Sequence, residues 1–246
     1  MLVAVLLIVL LLVAIFAGGV AAIAGFGIGS LLTPLLAVEF GTRTAVLLVA
    51  IPHATATALR LWLLRADVDR RVLLTFGSAS AVGGLVGALL LSVFASRTMG
   101  IILGVLLIFS GLGGLTGLTG RMRIPAGPWA VAAGMASGAF GGLVGNQGGI
   151  RAAALLHFGL SPAATVATAT GIALAVDAAR LPIYLAVGGA EIAANWPYVA
   201  VGVVGVVLGT LLATPILRRL PEDSFRRFVF VLVTILGVLL IGVPGG

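Results

Sequence analysis

The chain contains no cysteine, its 14 basic residues are all arginine, and charged residues fill only 9% of its 246 positions. Without cysteine there is no disulfide, no thiolate nucleophile and no cysteine-ligated metal. So little charge excludes an ordinary soluble domain, where about 25% of residues are charged. Metalloprotease, serine-hydrolase and P-loop motifs are missing too, and only two histidines are present. The chain is therefore read as a non-enzyme, with no cofactor and no metal expected.

What fills the chain instead is apolar. Hydrophobic residues make up 61% of it and the mean hydropathy is +1.29. This composition is that of an all-α, multi-pass membrane protein of the bacterial inner (plasma) membrane type, with no room for a separate soluble domain. The net charge of +7 sits mainly on arginines in short loops. Such loops suit anionic lipid headgroups, and nucleic acid is not an expected partner. Met1 to Ala14 resembles the apolar core of a signal peptide. No basic stretch precedes it and the run continues to Ala24, so it is kept as the first span.

Apolar segments fall at 2–24, 28–40, 44–64, 72–95 and 98–119, then again at 127–145, 149–158, 161–187, 194–217 and 227–244. Most are long enough to cross a bilayer, which takes about 20 residues. The exceptions, 28–40 and 149–158, each follow a glycine-rich break and read as half-helices. The two sets form an internal repeat, 1–120 and 121–246. At an offset of 120, Gly25 meets Gly145, Gly29 meets Gly149 and Arg60 meets Arg180; Phe40-Gly41 meets Phe158-Gly159 at an offset of 118.

Arginine placement selects a topology. If each broken segment crosses the membrane once, the loop arginines divide six against five. If each broken pair enters and returns to its own side, nine fall on one face (Arg65, Arg70, Arg71, Arg121, Arg123, Arg218, Arg219, Arg226 and Arg227), and Arg43 and Arg97 on the other. The positive-inside rule favours the second arrangement. Each repeat then holds a re-entrant pair plus three transmembrane helices, the halves are inverted, and both termini lie outside the cytoplasm.

Interrupted helices in both halves of a membrane protein point to a transport site. The sharper break is Gly145-Asn146-Gln147-Gly148-Gly149-Ile150-Arg151; its weaker twin is Gly25-Phe26-Gly27-Ile28-Gly29-Ser30. Each should place a helix N-terminus, with unpaired N–H groups and a positive dipole end, near mid-membrane. Arg151 adds a fixed charge, Asn146 and Gln147 add neutral donors, and Ser30 and the amides of Gly27, Gly29, Gly148 and Gly149 complete an expected anion cradle. Close helix packing is the competing reading of these glycines, and is preferred for Gly18, Gly19, Gly141 and Gly142.

Asp177 and Arg180, three apart on one helix, read equally as a structural ion pair or as a coupling or gating pair. His53 beside Pro52 could carry a coupling proton or simply pack. Arg60, close to the 65–71 loop, is expected to snorkel to the headgroups. Glu39 and His157, near the half-helix ends, read as interfacial anchors. Thr165, Thr168 and Thr170 either bond to their own helix or line a path.

With these motifs in view, the chain resembles the TauE/SafE, or sulfite exporter, family of membrane transporters over nearly its whole length. The resemblance is carried by Gly25 to Pro34 with Phe40-Gly41, by Gly145 to Arg151 with Phe158-Gly159-Leu160-Ser161, and by Val176-Asp177-Ala178-Ala179-Arg180-Leu181 with Tyr184. Ser30 after Gly29 departs from the commoner glycine pair. The resemblance implies a carrier for a small sulfur-containing or organic anion (sulfite, sulfonate or carboxylate), often directed outward. The expected mechanism is alternating access around a midplane site, with proton or other ion coupling left open; a passive anion channel is the alternative. No sequence feature argues strongly for a homodimer.

Overall fold

The computed structural model describes residues 2–118, 127–217 and 222–242, and among these no strand occurs. Among the described residues, nine α-helical stretches carry the fold: α1 (Leu2–Ala24), α2 (Ile28–Leu64), α3 (Arg70–Leu90, through one π-helical turn at Leu73–Gly77), α4 (Ser96–Thr116), α5 (Pro128–Val144), α6 (Gly148–Leu155), α7 (Pro162–Ala194), α8 (Trp196–Leu217) and α9 (Glu222–Gly242). Seven are long and apolar enough to cross a membrane; α5, at 17 residues, and α6, at 8, are shorter. Side chains such as Leu12, Trp62, Leu74, Val93 and Leu239 are exposed, as lipid-facing residues are. The protein is an all-α, multi-pass membrane protein.

Glycine sets the interruptions. Gly25 and Gly145 both take positive φ, 74° and 72°, immediately after α1 and α5. The half-helix expected at 28–40 is there: α2 is two helices that meet at Gly41, where φ 75° and ψ 160° leave the helical region, so the first ends at 40 and the following span starts directly after the kink. In the second half the corresponding turn is wider: α6 gives way to a short 3-10 turn, Gly159 takes φ 63°, and Ser161 caps α7 by accepting from the Ala164 amide.

Cross-contacts fix the running directions of the helices. His53 meets Asp177 while Thr44 meets Glu191, so α2 beyond Gly41 and α7 are antiparallel. Gly104 lies against Gly237 and Ile241, and Gly111 against Phe230 and Thr234, so α4 and α9 are antiparallel. Gly83 faces Met135 and Gly87 faces Ala139, making α3 and α5 parallel; Gly205 faces Leu11 and Gly209 faces Ile15, making α1 and α8 parallel. These seams are very close. A Cβ at Gly138 would lie 1.9 Å from the Ser80 carbonyl oxygen, and one at Gly142 1.9 Å from that of Gly84. Gly18 is as constrained, with 2.4 Å to the Val206 oxygen. The packing reading of Gly18 and Gly142 therefore describes what these residues do.

One end of the bundle gathers Arg43, Ser96, Arg97 and Glu191. The Arg43 guanidinium pairs with Glu191 at 3.4 Å, and Arg97 donates to the Ile241 carbonyl at 2.8 Å. The opposite end carries Arg65, Arg70 and Arg71, with the Asp69 amide donating to Thr168 Oγ1 at 2.9 Å. Arg121, Arg123, Arg218 and Arg219 lie outside the described residues. Glu39 and His157 are exposed near the half-helix ends. Thr165 and Thr170 bond back to their own helix, at the Ser161 and Val166 carbonyls, whereas Thr168 serves the interhelical contact.

Candidate anion site

The two glycine breaks meet each other. A Cβ on Gly29 would lie 2.2 Å from the Gly145 oxygen, and one on Gly148 would lie 2.8 Å from Phe26 Cβ. Only glycine lets the two backbones approach this closely. Asn146 Nδ2 donates to Ser30 Oγ at 3.3 Å, and Asn146 Oδ1 accepts from the Gly148 amide at 3.2 Å. The N-terminal ends of α2 and α6 thus converge, and neither N-cap residue, Gly27 or Gln147, caps its helix with a side chain. Gly27, with φ 137°, sits against Val20, and Gly149 against Ser110.

Arg151 lies one turn into α6, with its amide bonded to the Gln147 carbonyl. Its side chain crosses to the first break, where Nη2 donates to the Gly25 carbonyl at 3.1 Å. Nη1 has no hydrogen-bond partner, nor has Gln147 Oε1. Arg151 is 3% exposed, and Asn146, Gln147 and Ser30 are equally enclosed. These side chains are closed off, because the glycine contacts bring α2 and α6 together beside them.

Beside it lies a second polar cluster. Asp177 Oδ2 meets His53 Nδ1 at 2.7 Å, and Asp177 Oδ1 accepts from Arg180 Nε at 3.0 Å and pairs with Nη2 at 2.8 Å. Arg180 Nη1 donates to the Gly141 carbonyl at 2.7 Å, and the Tyr184 hydroxyl donates to the Gly142 carbonyl. Gly141 and Gly142 belong to the last turn of α5, where carbonyls have spare accepting capacity; that of Gly141 also accepts from the Gly145 amide at 3.1 Å. Arg180 also suits the negative end of that helix dipole. The ion pair therefore braces the break, and His53 is joined to it through the carboxylate. The cluster joins α2 to α5 and α7.

Arg60 corrects an expectation. It does not snorkel to the surface: it is 3% exposed, and its Nε and Nη1 have no partner. Sequence reasoning left it out of the site because of its closeness to the 65–71 loop. Its match with Arg180 at an offset of 120 was the signal that could have placed it inside. Among the described residues no group of histidine and acidic side chains is arranged to hold a metal ion.

Comparison with known proteins adds the family. The model of the sulfite exporter TauE/SafE family matches residues 10–240. No individual curated protein and no solved structure matches. The match covers the breaks, the arginine crossing between them and the bracing cluster alike, and on it the chain belongs to the sulfite exporter TauE/SafE family, whose members are membrane transporters and not enzymes.

Proposed function

We propose that the protein is a secondary transporter that moves a small sulfur-containing or organic anion outward, by alternating access around the junction of the two glycine breaks. One observation carries the reading: Arg151, inside the bundle, ties the two breaks together through one nitrogen and keeps the other unpartnered. A charge buried at membrane depth is costly and marks a functional path. Two helix N-termini beside it supply amides and positive dipole ends. The guanidinium fork matches the paired oxygens of sulfite, sulfonate or carboxylate.

The halves 1–120 and 121–246 are read as an inverted duplication within one membrane domain. Antiparallel running of the equivalent pairs α2/α7 and α4/α9 supports it. So does the exchange of partners, α1 with α8 and α5 with α3, which maps one half onto the other. Burial of the site's side chains is what a carrier's occluded state requires, and it supports this reading over an open anion channel. The test is flux into proteoliposomes across a panel of sulfite, sulfonates and carboxylates. A carrier shows saturation and acceleration by substrate on the opposite side. Linear, unsaturated flux without such acceleration would establish the channel instead.

A further inference from the structure

Applying the repeat offset of 120 to the bracing cluster exposes an imbalance. Arg180 corresponds to Arg60, but Asp177 corresponds to Thr57, Tyr184 to Leu64, and His53 to Ala173. The first half keeps the guanidinium and lacks the carboxylate that neutralises its twin. The consequence is visible in the fold. Arg180 is fully engaged by Asp177 and the Gly141 carbonyl, while Arg60 leaves Nε and Nη1 unpartnered in the interior. Three buried guanidiniums, those of Arg60, Arg151 and Arg180, share one buried carboxylate among the described residues, and Asp177 is already committed to Arg180 and His53. Arg60 and Arg151 lie within electrostatic reach of each other. Asp177 is felt by both at a distance and contacts neither, so two enclosed cations keep open N–H donors with no carboxylate paired to them, an arrangement that a protein interior tolerates poorly.

We infer that Arg60 is a second substrate-binding arginine, and that Arg60 and Arg151 together select a doubly charged anion, whose second charge takes the place that Asp177 fills in the other half. This rests on the anion-site reading above and adds to it a residue and a charge requirement. Thr57 is the specificity-determining position: it stands three residues before Arg60, as Asp177 stands before Arg180, and it is fully buried. A carboxylate there would neutralise Arg60 internally and leave Arg151 alone to meet the substrate.

The experiment uses detergent-purified full chain and ligand-induced thermal stabilisation at pH 8, where methanesulfonate carries one charge and sulfoacetate and methanedisulfonate carry two. Wild type should bind the dianions at least about 10-fold more tightly than methanesulfonate, as expected when a second charge-assisted contact is made. Thr57→Asp should erase that advantage while methanesulfonate still binds, and Thr57→Asn, of similar shape without the charge, should keep most of it. Arg60→Gln should likewise lower dianion affinity toward that of methanesulfonate. The Thr57 pair decides the matter should Arg60→Gln fail to fold. Equal binding of one- and two-charge anions by wild type overturns this inference while leaving an anion site in place, as does a Thr57→Asp protein that retains the dianion preference. Absence of any stabilisation by all three anions overturns the anion-site reading and this inference with it.

Discussion

At the scale of single residues, the buried charges separate into those paired with an opposite charge and those that keep unpartnered donors. Arg180 and Asp177 satisfy each other, and removing one partner of such a pair costs roughly 3–5 kcal/mol because the other stays buried and uncompensated. Asp177→Asn is therefore expected to lower thermal stability markedly, with or without substrate, in a melting measurement. Arg151 should behave differently. It holds one backbone carbonyl, so Arg151→Ala loses some stability, but its larger effect should be on the ligand. A hydrogen bond to a charged group contributes about 1.5–3 kcal/mol, which corresponds to a roughly 10- to 150-fold loss of affinity. Arg151→Lys should recover part of this, keeping charge without the planar fork. Binding to well-folded Arg151→Ala with wild-type affinity would move the site away from the glycine junction. His53 touches Asp177 and, at 3.5 Å, Thr57, with Arg60 and Arg180 near enough to act on it. If it carries a coupling proton, an active His53→Gln protein should show a flattened dependence of transport on pH between about 5 and 8, the range in which histidine charge usually changes. An unaltered profile would assign His53 to holding the carboxylate. The sequence made Arg151, Asn146 and the Asp177–Arg180 spacing legible, because polar groups stand out in an apolar chain. It did not disclose that Arg60 turns inward or that His53 joins Asp177. Both depend on how α2 lies against α7, a long-range contact with no local signature.

At the scale of elements, glycine does two separable jobs, and the sequence distinguished them only in part. In the breaks it permits backbone conformations closed to other residues; in the seams it removes side chains that would separate two helices. Gly41 shows the first. The half-helix expected at 28–40 ends at this one residue and is joined through it directly to the next span, and the sequence showed the Phe40-Gly41 pair without showing how short the turn would be. With φ 75° and ψ 160°, Gly41→Ala should cost about 1–3 kcal/mol of backbone strain. Gly138 shows the second: its helical backbone is unstrained, yet Gly138→Ala drives a methyl group into the Ser80 carbonyl, for an expected cost of about 1–3 kcal/mol. Gly189 is the internal control. It lies within α7 with nothing near the position its Cβ would take, so Gly189→Ala should stabilise by about 0.5–1 kcal/mol through the lower chain entropy of alanine. Melting temperatures of the three variants should fall below wild type for the first two and rise for the third. A drop for Gly189→Ala would mean that this face of α7 meets something in the membrane.

At the scale of the whole molecule, the arrangement of charge and the direction of the helices are independent observations that converge. Arginine counting asks for the 65–71 and 218–227 loops to share a face and for Arg43 and Arg97 to lie opposite. Helix contacts reach the same division without reference to charge: α2 ends and α9 begins at one end of the bundle, while α4 begins at the other, where Arg43 pairs with Glu191 and Arg97 reaches Ile241. The proposed repeat rests in the sequence on glycine breaks and Phe-Gly pairs that keep their order. Its inversion is read there from loop charge alone, since hydropathy carries no direction. Labelling decides it, and the absence of cysteine leaves no background to remove. Single cysteines at Val68 and Glu222 should react with a membrane-impermeant maleimide only from the cytoplasmic side, and one at Ala95 only from outside. Were each broken segment to cross once, positions 68 and 222 would be labelled from opposite sides, with 222 sharing its side with 95. That result would remove the inverted duplication, and with it the symmetry that brings two helix N-termini to one anion.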